Sequence, residues 1–316
     1  MKKVLAVVCL IILIVGSAGC NLLNAVDLSS YNVAVTDFAV RLLQTEYDEN
    51  KNVLISPIAA LSGVSQITND MDEEMIAQIE ETLGMTSEEL NKFIYTYTNY
   101  LSRISNRKTK AYIEELEMNQ ENYMKFEGVW DHAFGCSENK MYDRVDYSLE
   151  GEDINGFVKF FEKERYALGV LLPNENVDMN TYITNLTGEK LYSILSNPVE
   201  MEADIRLPKV VLSDEMNFKD VFLDMVVTDG LAEGMETGSD LGESFAEENI
   251  KHDDLFCISS INMTSNGINT EREASPPPVL LTYEPPNSVY VDRPFIIIIM
   301  DCKYNIPLLI GTIIDV

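Results

Sequence analysis

Residue types that carry catalysis are sparse in this chain, with the exception of carboxylates. His132 and His252 are its only histidines, and the sequence contains no recognised motif for a nucleophile, a zinc ion or a nucleotide. Its 52 aspartate and glutamate residues include no pair whose spacing indicates general acid and base catalysis. We therefore predict that the protein is not an enzyme and that it uses no metal ion and no other cofactor.

A segment close to the C-terminus could be the substrate of a protease. A polar stretch over residues 267–286 starts at a glycine and contains three consecutive prolines at positions 276–278. A proline-rich segment is extended at a low entropic cost, and extended chain is the form that proteases bind. Long loops between packed strands are usually functional. The stretch is therefore predicted to be an exposed loop that a protease can cleave.

The net charge of −29 excludes several classes of partner. Nucleic acids need lysine and arginine side chains to neutralise their phosphates, and anionic lipid surfaces repel an acidic domain. A large charge of one sign keeps a protein soluble and separate from its copies. We therefore predict a monomer that does not bind nucleic acid.

The first residues have the pattern of an export signal. Lys2 and Lys3 precede an apolar run over residues 4–15, and small residues follow at positions 16–19. The apolar run is too short for a comfortable transmembrane helix. We predict a signal peptide over residues 1–19 and a tether over residues 20–31, before a folded domain over residues 32–316.

Cys20 directly follows Ala18 and Gly19, as the lipid-bearing cysteine follows the signal of bacterial lipoproteins. Ser17 stands where such signals usually carry leucine. A lipid on Cys20 would hold an acidic domain at a membrane surface that its charge would otherwise avoid. We expect an extracellular protein that is anchored to the cell surface by lipid on Cys20, and plain secretion is the alternative.

Three cysteines remain in the predicted domain, Cys136, Cys257 and Cys302. Their number is odd, and no two of them have the spacing of a metal-binding pair. Buried single thiols are therefore the expected outcome.

Apolar periodicity predicts mostly helices early in the domain and mostly strands later. Helices are predicted over residues 32–47, from Pro57 with Ser56 as its N-cap, and over residues 72–83, 86–104, 179–195 and 218–226. Strands are predicted over residues 52–55, 123–130, 156–161, 166–172, 205–212, 296–300 and 306–314. This order indicates an α+β fold rather than alternating βαβ units.

Several segments, in the same order along the chain, resemble landmarks of the serpin family. Residues 52–57 resemble its NVFISP segment, and residues 122–130 with Phe134 resemble its NAIYFKGxWxxxF segment. Residues 171–173, 207–209 and 240–241 resemble its LLP, LPK and DLSG segments, and an RPF triplet precedes the terminal hairpin. The residues that carry the structural motifs are Asn52, Ser56, Pro57, Asn122, Phe126, Gly128, Trp130, Phe134, Pro208, Arg293, Pro294 and Phe295.

The resemblance implies a serpin-like α+β domain. N-terminal helices would pack on a mixed β-sheet, with a C-terminal β-hairpin and an exposed reactive loop. The implied function is inhibition of a serine-type endopeptidase: the protease cuts the loop, whose N-terminal half then inserts into the main sheet and carries the acylated protease with it. The hinge of this loop corresponds to Gly267, Ile268, Asn269, Thr270, Glu271 and Arg272.

The spacing of the family gives two positions for the bond that a protease would cut. Counting forward from Gly267 gives Leu281, and counting back from Pro294 gives Tyr283. The candidate residues are therefore Leu281, Thr282, Tyr283 and Glu284. An apolar or aromatic residue at this position suits a chymotrypsin-like or subtilisin-like protease rather than a trypsin-like one.

Two features of the loop argue against complete insertion. Side chains alternate between the faces of a strand, so a strand that starts at Gly267 would bury Arg272 without a partner, at a penalty of several kcal/mol. A shift by one residue would bury Glu271 instead. The prolines at positions 276–278 are poorly suited to a central strand. The alternative function is therefore a non-inhibitory serpin-fold surface binding protein or protease decoy whose loop does not insert.

Two departures from the family affect the main sheet. The segment from Gly84 to Asn122 is too short for the helices and strands that the family places there. This predicts a reduced sheet without the helix that usually lies over it. Cys257 stands where the family has a histidine in the strand before the loop, so no imidazole hydrogen bond is expected there.

Overall fold

The computed structural model describes most of the predicted domain. The described residues are 27–68, 73–104, 108–116, 121–130, 134–136, 140–161, 164–217, 221, 224–225, 256–270 and 288–316. Several predictions lie outside these residues, namely those for the signal peptide, Cys20, His132, His252, Glu271, Arg272, Leu281, Thr282, Tyr283, Glu284 and most of the helix over 218–226.

Helices occupy the first part of the described chain, as predicted. After a 3-10 helix, Leu28–Tyr31, the helices are α1 (Asn32–Glu46), α2 (Pro57–Ile67), α3 (Glu73–Leu83), α4 (Ser87–Ile104), α5 (Met179–Asn185) and α6 (Gly188–Ser196). The strands are β1 (Val53–Ile55), β2 (Thr109–Leu116), β3 (Glu121–Val129), β4 (Gly135–Cys136), β5 (Lys140–Gly151), β6 (Ile154–Phe160), β7 (Tyr166–Pro173), β8 (Val199–Pro208), β9 (Val211–Asn217), β10 (Phe256–Thr264), β11 (Gly267–Asn269), β12 (Ser288–Tyr290), β13 (Phe295–Asp301) and β14 (Ile306–Ile313).

Side-chain caps set the helix starts. The Ser56 Oγ accepts a hydrogen bond from the Ala59 amide at 3.2 Å, and Pro57 occupies the first helical turn, as predicted. The prediction of one helix over residues 179–195 is wrong. Thr187 interrupts it, because its Oγ1 accepts a hydrogen bond from the Lys190 amide at 3.2 Å and so starts α6 as a separate helix.

The packed part of the chain begins before residue 32. Leu28, in the 3-10 helix, is buried in the hydrophobic core. The Asp27 carboxylate accepts a hydrogen bond from the Ser29 amide at 3.1 Å and caps this helix. Residues 27–31 therefore pack with the domain, because burying Leu28 removes apolar surface from water.

The larger sheet contributes its most completely buried strands to the core. Among the described strands it has nine members, in the order β1-β14-β13-β7-β6-β5-β8-β12, with β4 paired to β5. Every residue of β7, β13 and β14 is buried, and α1 and α2 pack on β14. The predicted C-terminal hairpin is β13–β14, in which Ile298 pairs with Ile310. The predicted α+β arrangement, with helices on mixed sheets, is confirmed.

The smaller sheet has the order β2-β3-β11-β10-β9. β2 and β3 pair antiparallel from Thr109 with Gly128 to Leu116 with Glu121. The described chain between α4 and β3 therefore consists of β2 alone, in agreement with the predicted reduction of the sheet. The outer face of this pair carries partly exposed ion pairs, and one of them joins Lys110 to Glu127 at 2.9 Å.

Candidate functional site: the hinge of the loop

The first residues of the predicted loop form a strand inside the smaller sheet. β11 lies between β3 and β10 and is antiparallel to both. Ile268 pairs with Gly128 on one side and with Met263 on the other. Residues 267–269 therefore fill a gap between β3 and β10, which is called the slot below.

The position of Gly267 requires glycine. A Cβ at this residue would collide with the carbonyl oxygen of Gly128 on the neighbouring strand. The turn at residues 265–266 returns the chain from β10 directly into β11. Glycine therefore lets the hinge enter the sheet at its first residue.

The hinge side chains alternate between the two faces of the sheet. Ile268 and Thr270 are each 1% exposed, whereas Asn269 is half-buried on the outer face beside Glu127. Lys125 lies next along that face, with its Nζ 3.3 Å from the Glu114 carboxylate and 4.0 Å from the Tyr123 ring centre. The inner face is apolar and the outer face is charged.

Thr270 fixes the end of the inserted segment. Its amide donates to the Phe126 carbonyl at 3.0 Å, and its Oγ1 accepts a hydrogen bond from the Phe126 amide at 2.9 Å. On the other side, the Ser260 hydroxyl donates to the Thr270 carbonyl. Both flanking strands thus hold Thr270, so the hinge is anchored at this residue.

Beyond Thr270 the slot is closed. β3 and β10 pair directly there, in parallel, from Glu121 with Phe256 to Tyr123 with Ile258. Next to the last of these pairs, the Tyr123 hydroxyl of β3 and the Ser260 hydroxyl of β10 form a hydrogen bond. The sheet is therefore open at the end where β11 enters and closed at the other end by three backbone pairs and one side-chain bond.

An aromatic cluster supports the open end. The Trp130 ring stacks on Phe161 with ring centres 4.3 Å apart, and Phe134 packs against it at 4.9 Å. The Trp130 indole donates to the Thr264 carbonyl at 3.2 Å, and the Phe134 amide donates to the Ser265 carbonyl at 2.7 Å. These contacts hold the turn from which the hinge starts.

Cys257 lies at the closed end, opposite Asn122. It is buried, and burial raises the pKa of its thiol to about 12. Cys136 is also buried and Cys302 is half-buried, and none of the three forms a disulfide. The Cys257 thiol is therefore neutral at physiological pH.

Other motif residues hold the scaffold rather than the slot. The Asn52 Oδ1 accepts a hydrogen bond from the Ile314 amide at 2.6 Å, and the Arg293 Nε and Nη2 donate to the Pro173 carbonyl at 3.1 Å and 3.0 Å. Phe295 is fully buried in β13. The remaining motif residues of this group are Ser56 and Pro57 at the start of α2, Pro208 at the end of β8 and Pro294 before β13.

Sequence reasoning missed the roles of Tyr123 and Ser260. A signal was present, because Ser259 and Ser260 are polar residues in the middle of a strand that is otherwise mostly apolar. Buried hydroxyls need partners, so a pair of serines in a central strand indicates hydrogen bonds to a neighbouring chain segment. The partner was not evident because Tyr123 lies far away in the sequence.

The described residues offer no group of three or more histidine, cysteine, aspartate or glutamate side chains that could bind a metal ion. Within the same part of the chain, no helix is both long and apolar enough to span a membrane.

Comparison with protein families shows similarity over the second half of the chain. A model of the serpin family, described as serine protease inhibitors, matches residues 141–316. The matched residues include the larger sheet from β5 onward, β9, β10 and the whole loop.

Two curated proteins match parts of the chain. Iris from Ixodes ricinus is 23% identical over 214 residues, which cover 61% of this chain and 56% of Iris. A serpin-like protein from Thermococcus kodakarensis is 27% identical over 168 residues, which cover 52% of this chain and 38% of that protein. The matches therefore span little more than half of the first relative and well under half of the second.

Solved structures share the fold over nearly the whole chain. The thermophilic serpin tengpin in its native state has a TM-score of 0.72 at 20% identity, with 91% of this chain and 94% of tengpin covered. Tengpin in its latent state has a TM-score of 0.69 at 21% identity, with 92% and 98% covered. Thyroxine-binding globulin in complex with thyroxine has a TM-score of 0.66 at 15% identity, with 89% and 98% covered.

Proposed function

This chain belongs to the serpin family, and from that premise we propose that it inhibits a serine-type endopeptidase through the loop over residues 267–286. The observation that carries the proposal is the strand β11, which lies inside the sheet before any cleavage. An open slot that already contains the hinge is the feature that insertion of a cut loop needs. A chymotrypsin-like or subtilisin-like protease is the proposed target, because Leu281 and Tyr283 are the candidate residues at the cut.

The register of β11 defines how much of the loop the sheet can accept. Gly267 pairs with Val129 and Asn269 with Glu127, so continued insertion would place Ser275 opposite Glu121, the first residue of β3. The prolines at positions 276–278 would follow beyond these paired residues. We therefore propose that the inserted strand ends at Ser275, so that the prolines stay outside the sheet.

Insertion of residues 271–275 exchanges one set of backbone pairs for a larger one. Three parallel pairs between β3 and β10 would open. The new strand would pair antiparallel with both neighbours over the same length, which adds hydrogen bonds and buried surface. In this register Glu271 would lie opposite Lys125 on the outer face, where opposite charges favour each other.

One observation favours the alternative, a protease decoy or binding protein whose loop does not insert. The same register places Arg272 opposite Met124, which is fully buried. A guanidinium buried without a partner costs several kcal/mol. The free energy of burying the Arg272 side chain therefore separates the two functions: the loop of an inhibitor inserts despite this cost, and the loop of a decoy does not.

Denaturing gels after incubation with chymotrypsin or subtilisin test the inhibitor proposal. We expect a covalent band whose mass is the sum of the protease and the protein. Thr270→Arg should abolish this band while the loop is still cut, because a charged side chain would replace a buried hinge residue. Asn269→Arg is the matched control, since Asn269 is half-buried on the outer face beside Glu127 and an arginine there should leave the band intact.

Clean cleavage without a covalent band in the wild type, together with a band in Arg272→Ala, would establish the decoy. Cleavage without a band in both proteins would contradict the slot itself.

We further propose that the protein is displayed outside the cell by a lipid on Cys20. The support is the basic, apolar and small-residue order of residues 1–19 before this cysteine. Cells grown with labelled palmitate should label the wild type, and Cys20→Ser should lose the label and appear in the medium. Equal labelling of both proteins would contradict lipidation at Cys20, and release of an unlabelled wild type would indicate plain secretion.

A further inference from the structure

A cavity of about 270 Å³ lies between the β5–β6 turn and helices α5 and α6. Its lining residues come from three elements that the fold brings together, and none of them belongs to the hinge or to its acceptor strands. The cavity is therefore independent of the loop, and the proposed inhibitory mechanism does not use it.

The inner part of the cavity is apolar. Its apolar lining residues are Ile154 and Leu186, which are buried, and Val177 and Ile194, which are half-buried. A Cβ at Gly151 would lie 2.9 Å from the Ile154 Cγ2 and 3.2 Å from the Ile194 Cδ1. The glycine thus leaves open a space that a side chain would fill.

Tyr182 supplies one polar group inside this apolar space. The residue is 8% exposed and lines the cavity, and its hydroxyl is not among the fully buried polar atoms that lack a partner. The hydroxyl is therefore open to the cavity, where a ligand can bond to it. Burial, with a smaller effect from the Asp153 carboxylate, raises the pKa of Tyr182, so the hydroxyl stays neutral and can accept or donate a hydrogen bond.

The rim of the cavity is acidic on the side of the β5–β6 turn. Glu150, Glu152 and Asp153 are exposed there. Glu152 and Asp153 form no ion pair with any described residue. The single cationic lining residue, Lys190, lies on α6, and its Nζ donates to the Asn185 carbonyl at 2.9 Å. The mouth therefore presents net negative charge next to apolar side chains and a tyrosine hydroxyl.

We propose that this cavity binds a small organic cation, an amine with one aromatic or bicyclic apolar body. The body would lie on Ile154 and Leu186, and the amine would point to the Tyr182 hydroxyl and the Asp153 carboxylate. The volume lies just below the range of about 300–1,000 Å³ typical of drug-sized ligands, so the ligand is compact. Charge complementarity at the mouth disfavours an anion of the same shape.

Calorimetric titration of the purified protein with tryptamine and with indole-3-propionate tests the proposal. Both probes carry the same bicyclic body, and they differ in the sign of their charge. We expect saturable binding of tryptamine and binding of the carboxylate that is about tenfold weaker, because attraction at the acidic rim becomes repulsion.

Three variants locate the site. Ile194→Trp should fill the cavity and abolish binding, while Asp153→Asn, at an exposed position that does not affect folding, should weaken tryptamine binding about twofold to fivefold. Glu189→Gln is the matched control, because Glu189 is exposed on α6 but does not line the cavity, and it should bind like the wild type.

The proposal is overturned by any of three results. They are the absence of saturable tryptamine binding to the wild type, equal affinity for the two probes, and tryptamine binding that Ile194→Trp leaves unchanged.

Discussion

The two sheets of this protein differ in the kind of side chain that they bury. The larger sheet buries three consecutive neighbours, β7, β13 and β14, whose residues are almost all apolar and each of which has a partner on both sides. The smaller sheet buries hydroxyl and amide side chains between β3 and β10, including Ser259, Ser260 and Asn122. The larger sheet is therefore held mainly by apolar contacts, whereas the smaller sheet contains buried polar groups that could bond to a new strand.

If the loop inserts as proposed, the larger sheet stays unchanged and the smaller sheet changes its strand order. The buried side chains of β13 and β14 are close-packed, so moving either strand would lose many apolar contacts. In the smaller sheet, the Ser260 hydroxyl already bonds to Thr270 of the inserted segment and to Tyr123 of β3. The Ser260 hydroxyl thus bonds to two neighbouring segments, at the place where a further strand would insert.

The largest expected effect on the free energy of unfolding comes from a substitution in the larger sheet. Ile298 is fully buried in β13, so Ile298→Ala should lower the free energy of unfolding by about 2–5 kcal/mol through lost apolar burial and a cavity. Val211→Ala at the edge of the smaller sheet, where the side chain is 76% exposed, should change it by less than about 0.5 kcal/mol. Urea denaturation measures both, and equal effects would contradict the contrast.

A smaller effect is expected at the anchor of the hinge. Thr270→Val removes the Oγ1 that accepts from the Phe126 amide, at a cost of about 1–3 kcal/mol. Thr312→Val is the matched control in the larger sheet, because the buried Thr312 Oγ1 has no hydrogen-bond partner among the described residues, and the change should be neutral or stabilising. Faster hydrogen exchange at the Phe126 amide in Thr270→Val alone would locate the loss, and equal destabilisation by both variants would contradict it.

The smallest effect concerns the closed end of the slot. Tyr123→Phe removes the bond to Ser260, worth about 0.5–1.5 kcal/mol. Cys257 is buried at the closed end of the slot, and burial raises the pKa of its thiol to about 12, so the rate of labelling at pH 8 should increase when this end opens more often. Mass spectrometry should show faster labelling of Cys257 in this variant.

Tyr112→Phe, on the outer face of β2, should leave the labelling rate of Cys257 unchanged. An equal rate in the wild type and in Tyr123→Phe would show that the side-chain bond does not close the slot.

The elements that depend on local patterns were predictable. Alternating or continuous apolar residues predicted the terminal hairpin, and Ser56 with Pro57 predicted the start of α2. The break at Thr187 was missed because apolar periodicity continues across it, while its cap bond involves a single hydroxyl.

The state of the hinge was beyond prediction for a different reason. Whether residues 267–269 pair with β3 and β10 depends on a balance between two arrangements of the same three strands. Thr270, Ser260 and Tyr123 come from three separate segments, and no local sequence pattern links them. The sequence also predicts that the three prolines oppose complete insertion, and this stays a prediction.

The most direct test of the account is the thermal unfolding of the intact protein and of the protein cut in its loop, in the wild type and in Arg272→Ala. We expect cleavage to raise Tm in both proteins, and more in Arg272→Ala, because the inserted strand adds pairs on two sides and the variant avoids a buried guanidinium. A rise in the variant alone would identify the wild type as a decoy. An unchanged Tm in both would show that the slot accepts no strand beyond Thr270, and the account would be wrong.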